Sequence, residues 1–222
     1  MVMKEQGQAP SFERRWPIAL TILAGLLLLA ALPARIKMFP SWVPFAVGIV
    51  VLGSMTAAAL THARPRWLLI ERWITLLFVV FAGASMLATL AYLVRAMVFR
   101  PTEVTGLQLL TSGIAVWVTN VLIFSLLYWQ IDRGGPGARG GRVSALPDWL
   151  FPQVGAPESA PPGWQPRFVD YLSLGYSTAT AFSATEVAPM TSRAKLLMML
   201  ESTISLVTLV LVASRAINIL GN

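Results

Sequence analysis

Five long stretches of this chain are almost free of charged side chains, and they limit its fold more than any other feature. They cover residues 16–34, 41–61, 73–94, 104–131 and 196–214. Of all residues, 56% are hydrophobic and 12% are charged, against about 25% charged in an average soluble domain. About 20 apolar residues in a helix cross the ~30 Å hydrocarbon layer of a bilayer. The sequence therefore predicts an all-α membrane protein with about five transmembrane helices.

The first apolar stretch has two readings. Residues 1–15 are a polar segment that ends in Arg14 and Arg15, and small residues follow the apolar stretch. That order is also typical of a cleaved signal peptide, whose apolar core is usually about 7 to 15 residues long. Because residues 16–34 form a longer core, the sequence favours a membrane span, and a signal peptide stays the alternative.

The composition divides the chain into two membrane regions. Residues 16–99 contain three predicted spans, and residues 104–222 begin with the fourth span, 104–131. Tyr128 and Trp129 near the end of that span are typical of an aromatic belt at the membrane interface. The region ends with the last span, 196–214.

The segment between the last two spans is rich in glycine and proline. Residues 132–167 are expected to form a solvent-exposed loop without regular structure, because proline removes hydrogen-bond donors and glycine adds chain entropy. Within it, the stretch from Asp148 to Phe151 is a candidate for docking on the membrane surface.

Residues 168–191 are the most informative part of the chain. FVDYLSLGYSTAT fits a helix but is too short and too polar to cross a membrane, and AFSATEVAPMTS follows it. A half-length helix with a linker at membrane depth is tolerated only when protein covers it or when it lines water. We expect one re-entrant, pore-loop-like helix before the last span.

The residue pattern of 168–216 resembles the pore helix, filter and inner helix of two-span potassium channels. Thr178 and Thr180 match the threonine-rich end of the pore helix. The family's Asp, Pro and Thr positions and its inner-helix Glu are matched by Glu186, Pro189, Thr191 and Glu201. Ser205 stands where a hinge glycine is often found. The layout of the whole chain resembles a bacterial family of multi-span membrane proteins. The resemblance implies a tetrameric cation channel.

The filter-like segment departs from this family. Its positions are held by Ala181, Phe182, Ser183, Ala184, Thr185 and Glu186, so Ser183 and Thr185 replace both filter glycines. A potassium filter replaces the ion's water shell with backbone carbonyls, in a conformation that costs a non-glycine residue about 1–3 kcal/mol. We therefore expect weak or no potassium selectivity, with hydroxyl groups and a ring of Glu186 carboxylates meeting monovalent cations.

Several of these residues also have structural readings. The hydroxyls of Thr180, Ser183 and Thr185 can cap helix ends, and Glu186 can be a solvated acid paired with Arg193 or Lys195. In the last span, Glu201, Ser205, Thr208 and Arg215 recur at helical spacing and share one polar face. That face either lines water or packs against a neighbouring helix. Asn120 in the fourth span is expected to form an interhelical hydrogen bond.

The chain offers little for enzymatic chemistry. With one histidine and no cysteine, it has no metal triad, cysteine nucleophile or histidine-backed serine, so we expect no enzyme, no cofactor and no metal site. The net charge of +7 is spread between the apolar stretches, which fits contact with lipid head groups rather than nucleic acid. The expected function is a pore-loop protein of the plasma membrane. The alternative is a non-conducting membrane protein with a structural or partner-binding role.

The charge distribution predicts a cytoplasmic N-terminus. Positive residues are more frequent on the cytoplasmic side of short loops. The side of the N-terminus carries Lys4, Arg14, Arg15, Arg64, Arg66 and Arg72, and the opposite side carries Arg35, Lys37, Arg95 and Arg100. The channel resemblance implies the reverse orientation, with the pore-like loop outside.

Alkaline phosphatase fusions after residues 3, 68, 140 and 222 test this orientation. Phosphatase is active only outside the cytoplasm, so we expect activity at 222 alone. Activity at 3, 68 and 140 would reverse the orientation, and a difference between 68 and 140 would contradict five spans.

Overall fold

The protein is almost entirely helical, which confirms the all-α prediction. The structure, a computed structural model, describes residues 16–31, 40, 42–60, 65–99, 105–136, 138, 146–180 and 186–220. The helices are α1 (Trp16–Ala31), α2 (Val43–Leu60), α3 (Pro65–Phe99), α4 (Gly106–Ile131), α5 (Pro152–Gly155), α6 (Phe168–Thr180) and α7 (Ser192–Leu220). Two short antiparallel strands pair with each other, β1 (Trp149–Leu150) and β2 (Ala188–Pro189).

Three helices in the described residues are long and apolar enough to cross a membrane, namely Leu69–Phe99, Gly106–Gly134 and Ser192–Ser214. The chain is therefore a membrane protein by the length and composition of its helices. On α3, Trp73 is 65% exposed and lies near the start of the stretch Leu69–Phe99, a position typical of tryptophan at a membrane interface. The helices α1 and α2 are apolar but shorter.

Helix α3 is longer than the apolar stretch that predicted it. It begins at Pro65, so Pro65 and Arg66 form its first turn, and it continues past Arg95 to Phe99. Proline suits the first helical position because its fixed φ is already helical and its missing N–H would have no partner there. The uncharged stretch thus marks the part of the helix suited to lipid, while the helix itself extends on both sides.

Helix α4 is the central element and contacts α1, α3, α6 and α7. It begins with a capping box: the Thr105 hydroxyl accepts the Gln108 amide at 3.2 Å, and the Gln108 side chain accepts the Thr105 amide at 3.1 Å. This reciprocal pair satisfies two backbone donors that have no partner within the helix.

The described part of the loop before α6 contains short regular elements and a buried segment that its composition did not predict, although most of residues 152–165 are exposed. It contains β1, α5 and a 3₁₀ turn at Pro157–Ser159. Asp148, Trp149 and Phe151 are buried within the protein, so the prediction that they dock on the membrane surface was wrong. The ring centroids of Trp149 and Tyr128 lie 4.6 Å apart. Packing against another aromatic ring buries more apolar surface of Trp149 than a position at the membrane surface would.

A close approach of α4 and α7 gives a prediction about stability. A Cβ atom added at Gly113 would lie 2.5 Å from the Val212 Cγ2 atom, and valine has little rotamer freedom in a helix. We expect Gly113→Ala to lower the free energy of unfolding by about 1–3 kcal/mol. Thermal unfolding in detergent, followed by tryptophan fluorescence, measures this.

Gly53→Ala in α2 is the matched control, since a Cβ atom there meets nothing within 4 Å. Equal midpoints for both variants would contradict the close helix contact.

Candidate functional site

Glu201 lies at the centre of a polar core formed by α4, α6 and α7. Its side chain is fully buried, and its Oε2 atom accepts a hydrogen bond of 2.6 Å from the Tyr128 hydroxyl. Gly175 of α6 faces this pair: an added Cβ atom would lie 3.3 Å from Glu201 Oε1 and 2.5 Å from Ser125 Oγ. Glycine thus permits α6 to approach the polar core. Tyr128 is fully buried here, so its assignment to an interface belt was wrong.

Asn120 joins α4 to α7 within the same core. Its Nδ2 atom donates to the Ser205 hydroxyl and to the backbone carbonyl of Glu201, both at 3.0 Å. This confirms the predicted interhelical bond. Asn120, Ser205 and Thr208 are all at most 1% exposed.

The polar face of the last span is therefore packed against α4 in this subunit. Glu201, Ser205 and Thr208 share one face of the helix, as the spacing predicted. This face packs against a neighbouring helix and does not line water within the subunit. The Thr208 hydroxyl donates to the Ile204 carbonyl at 2.8 Å within α7. The side chain of Arg215 lies outside the described residues.

The last turn of α6 is capped by neighbouring helices. Trp117 Nε1 of α4 donates to the Ala179 carbonyl at 3.4 Å, and the Ser202 hydroxyl of α7 donates to the Thr178 carbonyl at 3.1 Å. The Thr180 hydroxyl donates to the Ser177 carbonyl at 3.0 Å. The carbonyl groups at a helix end have no partner within the helix, and here α4, α7 and Thr180 supply donors for three of them.

The predicted filter-like residues fall on both sides of a gap in the described chain. The hydroxyls of Thr178 and Thr180 are bound within α6, and Thr178 donates to the Leu174 carbonyl at 2.8 Å. The predicted positions Ala181, Phe182, Ser183, Ala184 and Thr185 lie outside the described residues. Glu186, where the description resumes, is exposed.

Two buried aspartates form a second polar network where α4 ends. The carboxylate of Asp132 accepts the Tyr171 hydroxyl of α6 at 2.5 Å and the backbone amide of Asp148 at 2.7 Å. The carboxylate of Asp148 in turn binds the guanidinium of Arg193 and accepts the Thr191 hydroxyl at 2.6 Å. We call these five residues the aspartate network; it joins the end of α4, the loop, α6 and the start of α7.

Backbone contacts reinforce the aspartate network. β1 pairs with β2, so that Trp149 faces Pro189, and the Met190 amide donates to the Asp148 carbonyl at 2.7 Å. The chain that leaves the filter-like segment is thereby attached to the loop that precedes α6.

Electrostatics favour the ionised form of Asp148. Burial of the carboxyl group opposes ionisation, but the hydrogen bonds from Arg193 and Thr191 and the positive charge of Arg193 outweigh it, so the pKa of Asp148 lies below its usual value. Arg193 is thus the partner of Asp148, whereas the sequence had offered it as a partner of Glu186.

Sequence reasoning missed the aspartate network and the Tyr128–Glu201 pair. Their partners lie far apart in the chain, as Tyr128 and Glu201 do at a separation of 73 residues. The available signal was weak: Asp132 and Asp148 are two of the three acids in the glycine- and proline-rich residues 132–167, which lie between two membrane helices.

Among the described residues, no group of three or more His, Cys, Asp or Glu side chains is placed to hold a metal ion. Comparison of the chain with protein-family models, curated proteins and solved structures found no match in any of the three. The resemblance to potassium-channel pore domains therefore rests on the residue pattern alone.

The Tyr128–Glu201 pair predicts different effects for two substitutions of the acid. Glu201→Gln keeps the shape and an acceptor for the Tyr128 hydroxyl, so we expect a loss of stability of about 1 kcal/mol or less. Glu201→Leu leaves that hydroxyl buried without its acceptor, and we expect a loss of about 1–3 kcal/mol.

Tyr128→Phe in the Glu201→Leu background is the control, because it removes the hydroxyl that the single variant leaves without an acceptor and should restore part of the loss. Thermal unfolding in detergent gives all three values. Equal stability of the Gln and Leu variants would show that the hydrogen bond contributes nothing.

The lowered pKa of Asp148 predicts that acid weakens the fold. Because the native pKa lies below the unfolded value of about 3.9, the ion pair stabilises the protein above that value, and this contribution is lost as the pH falls through the native pKa. We expect the unfolding temperature to fall below about pH 4, and to fall less in Asp148→Asn.

Glu158→Gln, at an exposed acid of the same loop, is the control and should follow the parent protein. An acid-induced decrease of the same size in Asp148→Asn and in the parent would contradict a role for Asp148.

Proposed function

We propose that this chain is a pore-loop protein of the plasma membrane, with five spans, that assembles as a tetramer and passes monovalent cations with little or no potassium selectivity. The observation that carries the proposal is the course of the chain around α6. Helix α6 begins beside the end of α4 and ends beside the middle of α4. The chain after it is found again at the level of the end of α4, where β2 pairs with β1.

The depth reached by α6 follows from the contacts at its two ends. Near its start, Tyr171 binds Asp132, just beyond the end of α4. At its other end, Ala179 meets Trp117, about four helical turns before the end of α4, and Thr178 meets Ser202, about three turns into α7. With 13 residues, α6 is about 20 Å long, which is too short to cross the ~30 Å hydrocarbon layer.

The return of the chain follows from the pairing of β2 with β1. Ala188 lies beside Leu150, in the loop held by Asp132 and Asp148. An extended chain advances by up to about 3.3–3.6 Å per residue, so the residues between Thr180 and Ala188 suffice to cover the length of α6. Entry and exit on the same side support a re-entrant loop.

The outward face of α6 supports assembly with further copies. Tyr176 is 54% exposed, Ser173 is exposed, and Ser177 and Thr180 are partly exposed. Polar side chains and irregular backbone at membrane depth are stable only against protein or water. Neighbouring subunits around an aqueous path provide such a cover, and one pore loop alone cannot enclose a pathway.

Charge near the filter-like segment supports cations as the permeant species. Glu186 is exposed, and in a fourfold assembly it contributes a ring of four carboxylates, which attracts cations. Ser183 and Thr185 stand at the two positions where the potassium filter has glycine, so stacked backbone carbonyls are not expected there.

A second candidate is a non-conducting membrane protein with a structural or partner-binding role. One observation favours it: the polar residues Glu201, Ser205 and Thr208 of α7 are buried against α4, so they are not available to line a path. Only the exposed, largely apolar face of α7 is then left for such a path, which includes Leu206 and Val210.

Two measurements on the purified protein test the proposal. Native mass spectrometry from detergent should give the mass of a homotetramer. Reconstituted liposomes should show cation flux, with reversal potentials that differ little between potassium and sodium. Glu186→Gln should lower cation permeability relative to anions, whereas Glu158→Gln, an exposed acid in the preceding loop, should leave it unchanged.

The outcomes separate the candidates. A monomer or dimer without flux would leave the non-conducting role. Strong potassium selectivity would show that the filter works without its glycines, and a tetramer without flux would leave the assembly but remove conduction.

A further inference from the structure

Arg72 links the N-terminal helices to the framework that holds the filter-like segment. It lies on α3, near the start of the stretch suited to span a membrane, and its Nη1 atom donates a hydrogen bond of 2.6 Å to the carbonyl of Gly134. Its side chain is only partly exposed, and a charged group removed from water needs a hydrogen-bond partner. Here the partner is the turn that follows α4.

The shape of this turn directs the Gly134 carbonyl. Three consecutive residues have positive φ angles, Arg133 at 52°, Gly134 at 80° and Gly135 at 93°. A Cβ atom at Gly135 would lie 2.7 Å from the Gln130 carbonyl oxygen, so only glycine fits there. The guanidinium of Arg72 lies 3.7 Å from the same Cβ position, and thus packs against the turn as well as binding it.

The turn begins at Asp132, the first member of the aspartate network. Asp132 binds Tyr171, near the start of α6, and the amide of Asp148. Asp148 then binds Thr191 and Arg193, directly after β2. Hydrogen bonds and the backbone of the turn therefore connect Arg72 to Tyr171, which precedes the filter-like segment, and to Thr191 and Arg193, which follow it.

We propose that Arg72 is a positioning residue: it fixes the turn after α4 and, through Asp132, the two anchors between which the filter-like segment is held. This inference rests on the proposed function, because Arg72 matters for conduction only if the filter-like segment lines a pore. Through Arg72, the position of α3 then affects the position of that segment. A hydrogen bond from a charged donor is stronger than a neutral one, and the planar guanidinium can bind the carbonyl while it packs on the turn.

The proposal predicts how accessible position 194, next to Arg193, is when Arg72 changes. The chain contains no cysteine, so Ala194→Cys creates a single labelling site at a position that is fully buried while the anchors are closed. In lipid nanodiscs, we expect Arg72→Gln to raise the rate of labelling by a charged maleimide at least about threefold, because the anchors open more often. Arg72→Lys should give a smaller rise, because it keeps the charge and a donor.

Three controls separate positioning from a general loss of structure. Arg66→Gln, an exposed arginine in the first turn of α3, should leave the labelling rate of the Ala194→Cys protein unchanged. Ser112→Cys, at a buried site of α4 far from Asp132, should label at the same rate with and without Arg72→Gln. Tyr171→Phe alone should raise the rate at the Ala194→Cys site, and adding Arg72→Gln should add less than the product of the two effects.

The result that overturns the proposal is that Arg72→Gln leaves the rate at the Ala194→Cys site unchanged, or raises the rate at the Ser112→Cys site equally. If Arg72→Gln does not yield a monodisperse protein, the Lys variant decides in the same way. Labelling requires no conduction, so the two proposals can fail separately. A changed labelling rate in a protein without flux supports the positioning role of Arg72 and contradicts the channel. An unchanged rate in a conducting protein supports the channel and contradicts the positioning role.

Discussion

The carbonyl groups in the last turn of α6 have no partner within that helix, and side chains around it supply the missing donors. Trp117 of α4 and Ser202 of α7 each provide a donor, and Thr180 provides a third. Two different helices must therefore stand at fixed positions beside the end of α6. A short helix that ends beside the middle of α4 thus constrains how its two longer neighbours are arranged.

The close packing of these helices depends on small and polar residues. Gly113 and Gly175 allow backbones to approach where any side chain would collide. Between membrane helices, where lipid is as apolar as leucine, van der Waals packing and interhelical hydrogen bonds drive association. Asn120 and the Tyr128–Glu201 pair provide such bonds in the core. Burial of Glu201 therefore specifies the register of α7 against α4.

Whether a feature of this structure can be predicted from the sequence depends on how far apart in the chain the interacting residues lie. The long apolar helices follow from local composition, and Asn120 and Glu201 attract attention because an isolated polar group in a span is costly. The partner of Glu201 is not local, since Tyr128 is 73 residues away and its position suggested an interface belt. Aromatic residues near a helix end fit both the interface and a buried cluster, and sequence alone does not distinguish them.

The partner of Asp148 in the loop before α6 is another contact between distant residues that the sequence did not predict. The composition of this loop predicted a solvated connector, yet Asp148 is fully buried and takes Arg193 as its partner. That pairing has an electrostatic consequence. Because the guanidinium of Arg193 is bound by Asp148, it is not the counter-ion of Glu186, which is exposed at the exit of the filter-like segment. The network that anchors this segment therefore binds one of the two basic residues, Arg193 and Lys195, that the sequence offers to Glu186. In the proposed function, the attraction of cations by Glu186 depends in this way on Asp148.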